Sequence, residues 1–304
     1  MTLAGIGGTA QTYLVYRPDI WAPRVDAIFK ARLVAAQFFT DFSDYVTEGG
    51  KSIHIPTQAQ YTTASVTTTT GDITGNLVVD SRTILDIDTW KSVSRVFADY
   101  QAAQVSTNYR LKEIFADSMA YALAKDLDSA ILGLCTATNP SRQVAASVSG
   151  LKSSDLESAL SIIESYNIPR EECMFFFHPK TYYGEIMAVQ KLYDASQFGK
   201  PSLIQGTHDT LYGVPVTVTS QVPIATITDG WYATTRGHDA HRNAILHNSF
   251  AAYALGNLPS GTPSGVRIQE KASENLRTTV VGDIMYGVKA LGNSYKGVRL
   301  LGRN

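Results

Sequence analysis

The most regular pattern of apolar and polar positions lies between Ala98 and Leu132, a stretch with neither Gly nor Pro. In it and just beyond, Leu111, Ile114, Phe115, Met119, Ala122, Leu127, Ala130, Ile131 and Leu134 recur mostly at three and four residues. The spacing predicts one amphipathic helix from about Gln104 to Leu132, roughly 40 Å long at 1.5 Å per residue. Lys112, Glu113, Asp117, Lys125 and Asp128 mark its expected wet flank, and Gly133 with Asn139-Pro140 ends it. Ser154 and Glu157, spaced as a capping box, predict a second helix with Leu156, Ala159, Leu160 and Ile163 on one face. After the turn Ile168-Pro169-Arg170, the apolar run Cys173 to Phe177 is too short for a helix and reads as a central strand buried on both faces. His178-Pro179 opens another helix, since Pro is tolerated where its missing donor has no partner anyway. Leu211 to Val218 reads as a turn entering a strand, and further strands are expected around Trp231, Ile245 and Phe250 to Leu255. Val266 to Ile268 and Arg277 to Lys289 alternate again, so the class is α+β with late strands packing on earlier elements.

The first hundred residues behave differently. Residues 1 to 23 keep no period and carry Pro18 and Pro23, which predicts an extended arm anchored by aromatic residues such as Tyr16 and Trp21. Helical spacing follows from Arg24 and stops near Phe39-Thr40-Asp41. Beyond Gly49-Gly50, Ile53 to Pro56 alternates as a strand, Thr57 to Gly75 is Thr-rich without Lys or Arg, and β-branched alternation resumes from Leu77 to Phe97. This is the pattern of a long two-stranded arm. A hairpin without a core of its own is marginal in water, so it implies a partner surface. Tyr16, Trp21, Thr62, Val66, Ile73 and Leu77 are the expected assembly contacts.

Composition narrows the function. The 304 residues are 44% hydrophobic, and 26 Lys plus Arg against 27 Asp plus Glu leave a formal charge of -1, with no global attraction to phosphate or acidic lipid. Only 17% of residues are charged, against roughly 25% in an average soluble protein, which suits a subunit buried among neighbours. The opening residues lack a secretory pattern and no apolar window approaches a membrane span, so a soluble protein assembled in the cytoplasm is expected. Cys135 and Cys173 have no metal or redox spacing and are expected to be buried thiols.

Candidate chemistry is thin. Gly50-Lys51-Ser52 imitates the tail of a phosphate loop, but Tyr45 stands where that loop needs Gly, and a strand follows where it needs a helix. His238, Asp239, His241 and His247 could be imagined around a metal, yet their spacing fixes no geometry and they read as a solvated loop. Gly261 to Gly265 places Ser264 one position off a nucleophile elbow, in a Pro/Gly turn. Asp86 and Asp88 read as solvent-facing acids on one strand face. No catalytic, cofactor or metal constellation emerges, and an enzyme working at Ser196 to Asp209 or around His238 is the weakest reading.

Taken in order, these pieces resemble the major capsid proteins of tailed double-stranded-DNA bacteriophages, a family that shares its fold with encapsulin shells. Gly50 to Pro56 is similar to the lead-in of the extended E-loop, and the run from Ala98 to Leu132 to the spine helix of the peripheral domain. Ile168-Pro169-Arg170 through Phe177-His178-Pro179-Lys180-Thr181-Tyr182-Tyr183 resembles an axial-domain strand and helix. Leu211-Tyr212-Gly213-Val214-Pro215-Val216 with Ser220-Gln221-Val222-Pro223 is the most specific piece, and Asp283 to Lys289 resembles the strand returning to the peripheral domain. The resemblance implies an N-terminal arm and short helix over 1–48, an E-loop hairpin over 49–97, a peripheral domain over 98–140 and 266–292, and an axial domain with mixed sheet and flanking helices over 141–265 and 293–304. It further implies a homo-oligomer of hexamers and pentamers tiling an icosahedral shell around double-stranded DNA. Portal and scaffolding proteins, and a possible decoration protein, are the implied partners; an encapsulin-type shell around cargo enzymes is the alternative. Some relatives weld their shells through a Lys on the E-loop, but no Lys occurs from Thr57 to Arg82 here.

Overall fold

Two sheets, a two-stranded ribbon and one long helix carry the architecture. The computed structural model describes residues 34–46, 50–57, 80–98, 111–136, 139–145, 150–187, 210–226, 239–258, 266–273, 277–291 and 296–303. In chain order the first half comprises α1 (Ala35–Phe38), β1 (Thr40–Asp41), β2 (Ser52–Thr57), β3 (Ser81–Asp86), β4 (Thr89–Ala98) and α2 (Leu111–Gly133). Then come β5 (Arg142–Ala145), α3 (Ser153–Ser165), β6 (Cys173–Phe177), α4 (Pro179–Thr181) running into a π turn at Tyr182–Ile186, β7 (Thr210–Leu211), β8 (Val214–Val218) and β9 (Ile224–Thr226). The last strands are β10 (Asp239–His247), β11 (Ala251–Leu255), β12 (Val266–Ser273), β13 (Arg277–Ala290) and β14 (Gly297–Arg303).

The 14-residue β13 is the spine of the first sheet. β4 runs antiparallel along one side of it, from Arg277↔Ala98 to Tyr286↔Thr89, while β12 and then β11 line the other side, with the short β1 beyond β11. Thus β4, which follows the ribbon in sequence, and β11 both belong to the sheet built on β13. The long helix α2 crosses this sheet. Met119, Leu123, Leu127 and Ile131 are buried, and Leu123, Leu127 and Ile131 share a core with Ile284 and Tyr286. A Cβ added at Gly282 would stand 3.5 Å from Leu123 Cδ1 and 3.6 Å from Met119 Cβ, ordinary contact distances that show how closely the helix lies on the strand. Tyr286 donates its hydroxyl to Asp126 Oδ2 at 2.6 Å, tying strand to helix. The expected stripe is therefore slightly rotated: Leu123 is buried, and Ala122, counted as apolar face, is exposed. The start of this helix expected before Leu111, and the side chains of Leu111 and Phe115, lie outside what is described.

The second sheet has seven strands in the order β5-β14-β10-β6-β8-β7, with β9 paired to β10. β6 lies between β10 and β8, and its side chains divide between two cores. Phe175 and Phe177 face α3, where Leu156, Ala159, Leu160 and Ile163 meet Val298 and Leu300. Phe176 points the other way, into the core shared with Phe39, Leu132, Cys135, Ala244 and Phe250. That division explains a continuous apolar run: both faces of the strand are covered. The β7–β8 turn places Tyr212 at φ 52 and Gly213 at φ 84, the two positive angles that a tight hairpin turn requires.

Three expectations need correction. The helix α3 begins at Ser153, and Asp155, not Glu157, reaches back, accepting from the Lys152 N–H at 2.9 Å; Glu157 instead accepts from the Tyr212 hydroxyl at 3.2 Å. The solvated loop expected at Asp239, His241 and His247 is strand β10, flanked by β14 and β6. Its polar residues are absorbed locally: Asn243, fully buried, accepts from the His178 N–H at 2.7 Å and donates to Thr181 Oγ1 at 3.3 Å. Asp128, expected on the wet flank of α2, is fully buried. Cys135 and Cys173 are buried free thiols.

Candidate functional site

The ribbon rises from the body on β2 and β3, paired antiparallel from Ser52↔Asp86 to Thr57↔Ser81. Its base is fixed by packing. Leu85 and Ile87 are buried in a small core with Val46, Ala252 and Ala254, and the Ile87 N–H donates to the Lys51 carbonyl at 2.9 Å. β13 passes so close that a Cβ at Gly287 would lie 2.1 Å from the Asp86 carbonyl oxygen, which only glycine avoids. Along β2, Ile53, Ile55 and Thr57 are half-buried while Ser52, His54 and Pro56 are exposed. Ile53 and Ile55 pack on that same small core, which accounts for their half-burial and rests this side of β2 on the body. Of the expected contacts, Tyr16, Trp21, Thr62, Val66, Ile73 and Leu77 all lie outside the described residues.

A second surface, absent from the sequence expectations, runs along β4. Trp90 is 65% exposed and Val96 53% exposed, two residues of one phase on a strand whose opposite phase packs Val93 toward the α2 core. Trp90 is not loose: its indole N–H donates to Asp283 Oδ2 at 3.0 Å, and Asp283 is held in turn by Arg267 through contacts of 2.9 and 2.5 Å. The period-two alternation from Val93 to Val96 contained this signal, since it sets Trp90 and Val96 on the phase opposite to Val93. Tyr45, Tyr183 and Ile224 are also more than half exposed.

The third feature is where the amino-terminal segment meets the body. Asp128 Oδ1 accepts the backbone N–H groups of Val34, Ala35 and Ala36 at 3.2, 2.6 and 3.2 Å. The Tyr253 hydroxyl donates to the Ala36 carbonyl at 2.9 Å from the other side. Free donors at the start of α1 explain the buried acid: a helix begins with unpaired N–H groups, and a carboxylate satisfies them. Burial pushes the Asp128 carboxyl up, while the three N–H bonds pull it down.

The candidate chemistry resolves into structure. Lys51 and Ser52 lead into β2, with no helix to cradle a phosphate. Asp86 and Asp88 are exposed. His241 is buried and stacks on His178 with ring centroids 3.5 Å apart. Burial, then the charges of His241 and Lys180, pull His178 down to about 4. His247 Nε2 sits 2.9 Å from Glu172. Burial raises the thiols of Cys135 to about 12 and Cys173 to about 11, so neither is a ready nucleophile. Among the described residues no three His, Cys, Asp or Glu side chains gather as a metal site, and no helix is long and apolar enough to cross a membrane.

No protein-family model matches the chain, and no relative is found among the curated proteins. Solved structures do match it along nearly its whole length. A chain of Mycobacterium phage Che8 is 19% identical with a TM-score of 0.71, covering 94% of this chain and 97% of its own. The capsid structure of cyanophage P-SCSP1u gives 16% identity and a TM-score of 0.72, over 94% and 93% of the two chains. The capsid asymmetric unit of cyanophage Pam1 gives 14% and 0.71, over 95% and 97%. The chain has the mixed α+β fold of tailed-phage major capsid proteins.

Proposed function

We propose that this chain is the structural subunit of an icosahedral phage head, assembling with copies of itself as hexamers and pentamers around double-stranded DNA. The observation that carries the reading is the agreement of fold, over nearly the whole length of both chains, with the capsid structures of cyanophages P-SCSP1u and Pam1. The ribbon supports it: β2 and β3 are held firmly on the body by their own small core, a base from which the segment between them could reach a neighbour. In this reading the E-loop over 49–97 and the arm over 1–48 reach across subunits, with Tyr16, Trp21, Thr62, Val66, Ile73 and Leu77 as contacts. The peripheral domain comprises 98–140 and 266–292, and the axial domain comprises 141–265 and 293–304. The role is structural, and the particle forms in the host bacterial cytoplasm with a portal, a separate scaffolding protein and, where present, a decoration protein. A near-neutral subunit confines DNA mechanically.

Electron microscopy of the expressed chain, with and without residues 62–76, tests the reading. Closed shells from the full chain and a folded body that fails to close after the deletion are expected. Normal shells from the deleted chain would refute the role of the ribbon, and a monomer from the full chain at high concentration would refute the function. Shells that carry a cargo enzyme and no genome would favour the encapsulin-type reading.

A further inference from the structure

Two imidazole rings close the junction where β6 hands over to α4. His178 and His241 stack with their centroids 3.5 Å apart and their planes 9° from parallel. His241 is buried on β10, flanked across the sheet by the uncharged Ile224 and Gly302, whereas His178 is half-buried. His178 also caps the turn that follows it: its Nδ1 accepts the Lys180 N–H at 3.2 Å, and its carbonyl accepts the Tyr182 N–H at 2.9 Å. Asn243 closes the junction from β10. It accepts the His178 N–H at 2.7 Å and donates to Thr181 Oγ1 at 3.3 Å and to the His241 carbonyl at 3.2 Å. β14 lies tightly against the same place, since a Cβ at Gly302 would stand 2.4 Å from Thr181 Cγ2 and 2.7 Å from Asn243 Nδ2.

A proton enters this arrangement badly. Nδ1 can accept from Lys180 only while it carries no hydrogen, so the capping ring is neutral with its hydrogen on Nε2. A second proton replaces that acceptor by a donor aimed at another N–H. The described groups of changeable charge that bear on His178 are His241 on β10 and Lys180 on α4, and both oppose a positive charge on it. His247 at the far end of β10 makes the contrast. Its Nδ1 caps the Ser249 N–H in the same way, but Glu172 stands 2.9 Å from its Nε2 to balance a proton.

We propose that His178, stacked on His241, is an acid-operated latch: on taking up a proton it lets go of the Lys180 N–H and frees the start of α4 from β10, while β6 keeps its place in the sheet. The inference rests on the geometry of one chain and not on the proposed shell function, which stands if the latch fails.

The test is amide hydrogen exchange of the full chain between about pH 7 and 4, with protection corrected for the intrinsic pH dependence of exchange. Burial, then His241 and Lys180, hold His178 down to about 4 against an ordinary 6.5. The latch is therefore closed above about 6.5 and opens as pH falls toward 4. At tenfold per pKa unit the opening equilibrium rises by at most about 300-fold over that window. Solvent screens a half-buried ring, so a rise of at least about tenfold is expected at Lys180 to Tyr182, with Met174 to Phe177 as the internal reference. His178→Asn keeps a capping oxygen that takes no proton and should hold protection level throughout. His54→Gln, at an exposed position on β2, should behave as wild type. A flat wild-type profile, a rise shared equally by Met174 to Phe177, or the same rise in His178→Asn overturns the proposal. The first two of these are read on the wild type alone, so the proposal stays refutable even where His178→Asn folds poorly.

Discussion

Replacing Asp128 by Ala should release the amino-terminal segment from the long helix while leaving the body folded. The carboxylate accepts three backbone N–H groups through one oxygen, and Val34, Ala35 and Asp128 itself are buried. Leaving a buried donor unsatisfied costs about 1 to 3 kcal/mol. The three bonds share one acceptor and so do not add fully, and removing the acid also removes its own burial penalty. A local loss of about 2 to 4 kcal/mol remains, which is on the order of 30- to 1,000-fold in opening equilibrium at 1.4 kcal/mol per tenfold. Amide hydrogen exchange reads this directly at Val34, Ala35 and Ala36, with the α2 amides from Met119 to Leu127 as the internal reference. Asp128→Asn keeps an acceptor at Oδ1, and since Oδ2 has no partner among the described residues, it should lose much less protection. Exchange at Val34 to Ala36 within threefold of wild type in Asp128→Ala, or an equal loss in Asp128→Asn, would refute the argument that these bonds hold the segment.

Other expectations follow from the same reasoning. His178 is held at about 4 in the fold against an ordinary value near 6.5, so the unfolded chain takes up a proton first; its contribution to stability is intact above about 6.5 and is lost as pH falls from there toward 4. His178→Phe keeps a flat ring but gains no proton, and unfolding midpoints measured across that window should flatten; an unchanged slope sinks the assignment. Gly287→Ala drives a Cβ into the Asp86 carbonyl and should cost about 3 kcal/mol or more, whereas the Cβ of Gly282→Ala meets its nearest atoms at 3.5, 3.6 and 3.9 Å, all ordinary contacts, and should cost under about 1 kcal/mol. Equal chemical-denaturation midpoints for the two variants would contradict this. If the chain builds the proposed shell, particles boiled in detergent should run as one band near 33.0 kDa, because no Lys lies between Thr57 and Arg82; a ladder of covalent multimers would show otherwise.

What the sequence made legible was local in origin. Cys173 to Phe177 could only be a strand covered on both faces, and Tyr212-Gly213 could only be a tight turn, because length and backbone freedom decide those cases without reference to the rest of the chain. Asp128 was misjudged for the opposite reason. Helical phase places it beside Leu127 and Ile131, but its burial depends on N–H groups of Val34 to Ala36, more than 90 residues away. β10 was legible only in part: a strand was expected around Ile245, but His241 and Asn243 look like loop residues until Thr181 and His178 arrive to partner and stack on them. Trp90 needed only the alternation of β4, but its role as an exposed yet anchored side chain required Asp283 from the neighbouring strand. The expected contacts in the arm and ribbon tip lie outside the described residues, so the candidate surfaces now rest on the ribbon base and on β4.

The way the ribbon joins the body bears on how a shell subunit could adjust to unlike positions. β3 and β4 are separated by two residues, Ile87 and Asp88, and β4 then pairs with β13 over ten consecutive residues. Ile87 is pinned by its bond to Lys51 and by burial beside Leu85, while Gly287 brings β13 against the Asp86 carbonyl. A rotation of the β13 sheet must therefore carry the ribbon base with it, since a two-residue link with one buried member has little freedom to absorb the change. The long helix is tied to that same sheet by Leu123, Leu127 and the Tyr286–Asp126 bond, so helix, sheet and ribbon base move as one piece. Ile53 and Ile55 of β2 pack on the same small core as Leu85, so the described part of the ribbon belongs to that piece. Loosening Gly287 or Leu85 should therefore relax the angle at which the ribbon leaves the body more than it weakens the sheet itself.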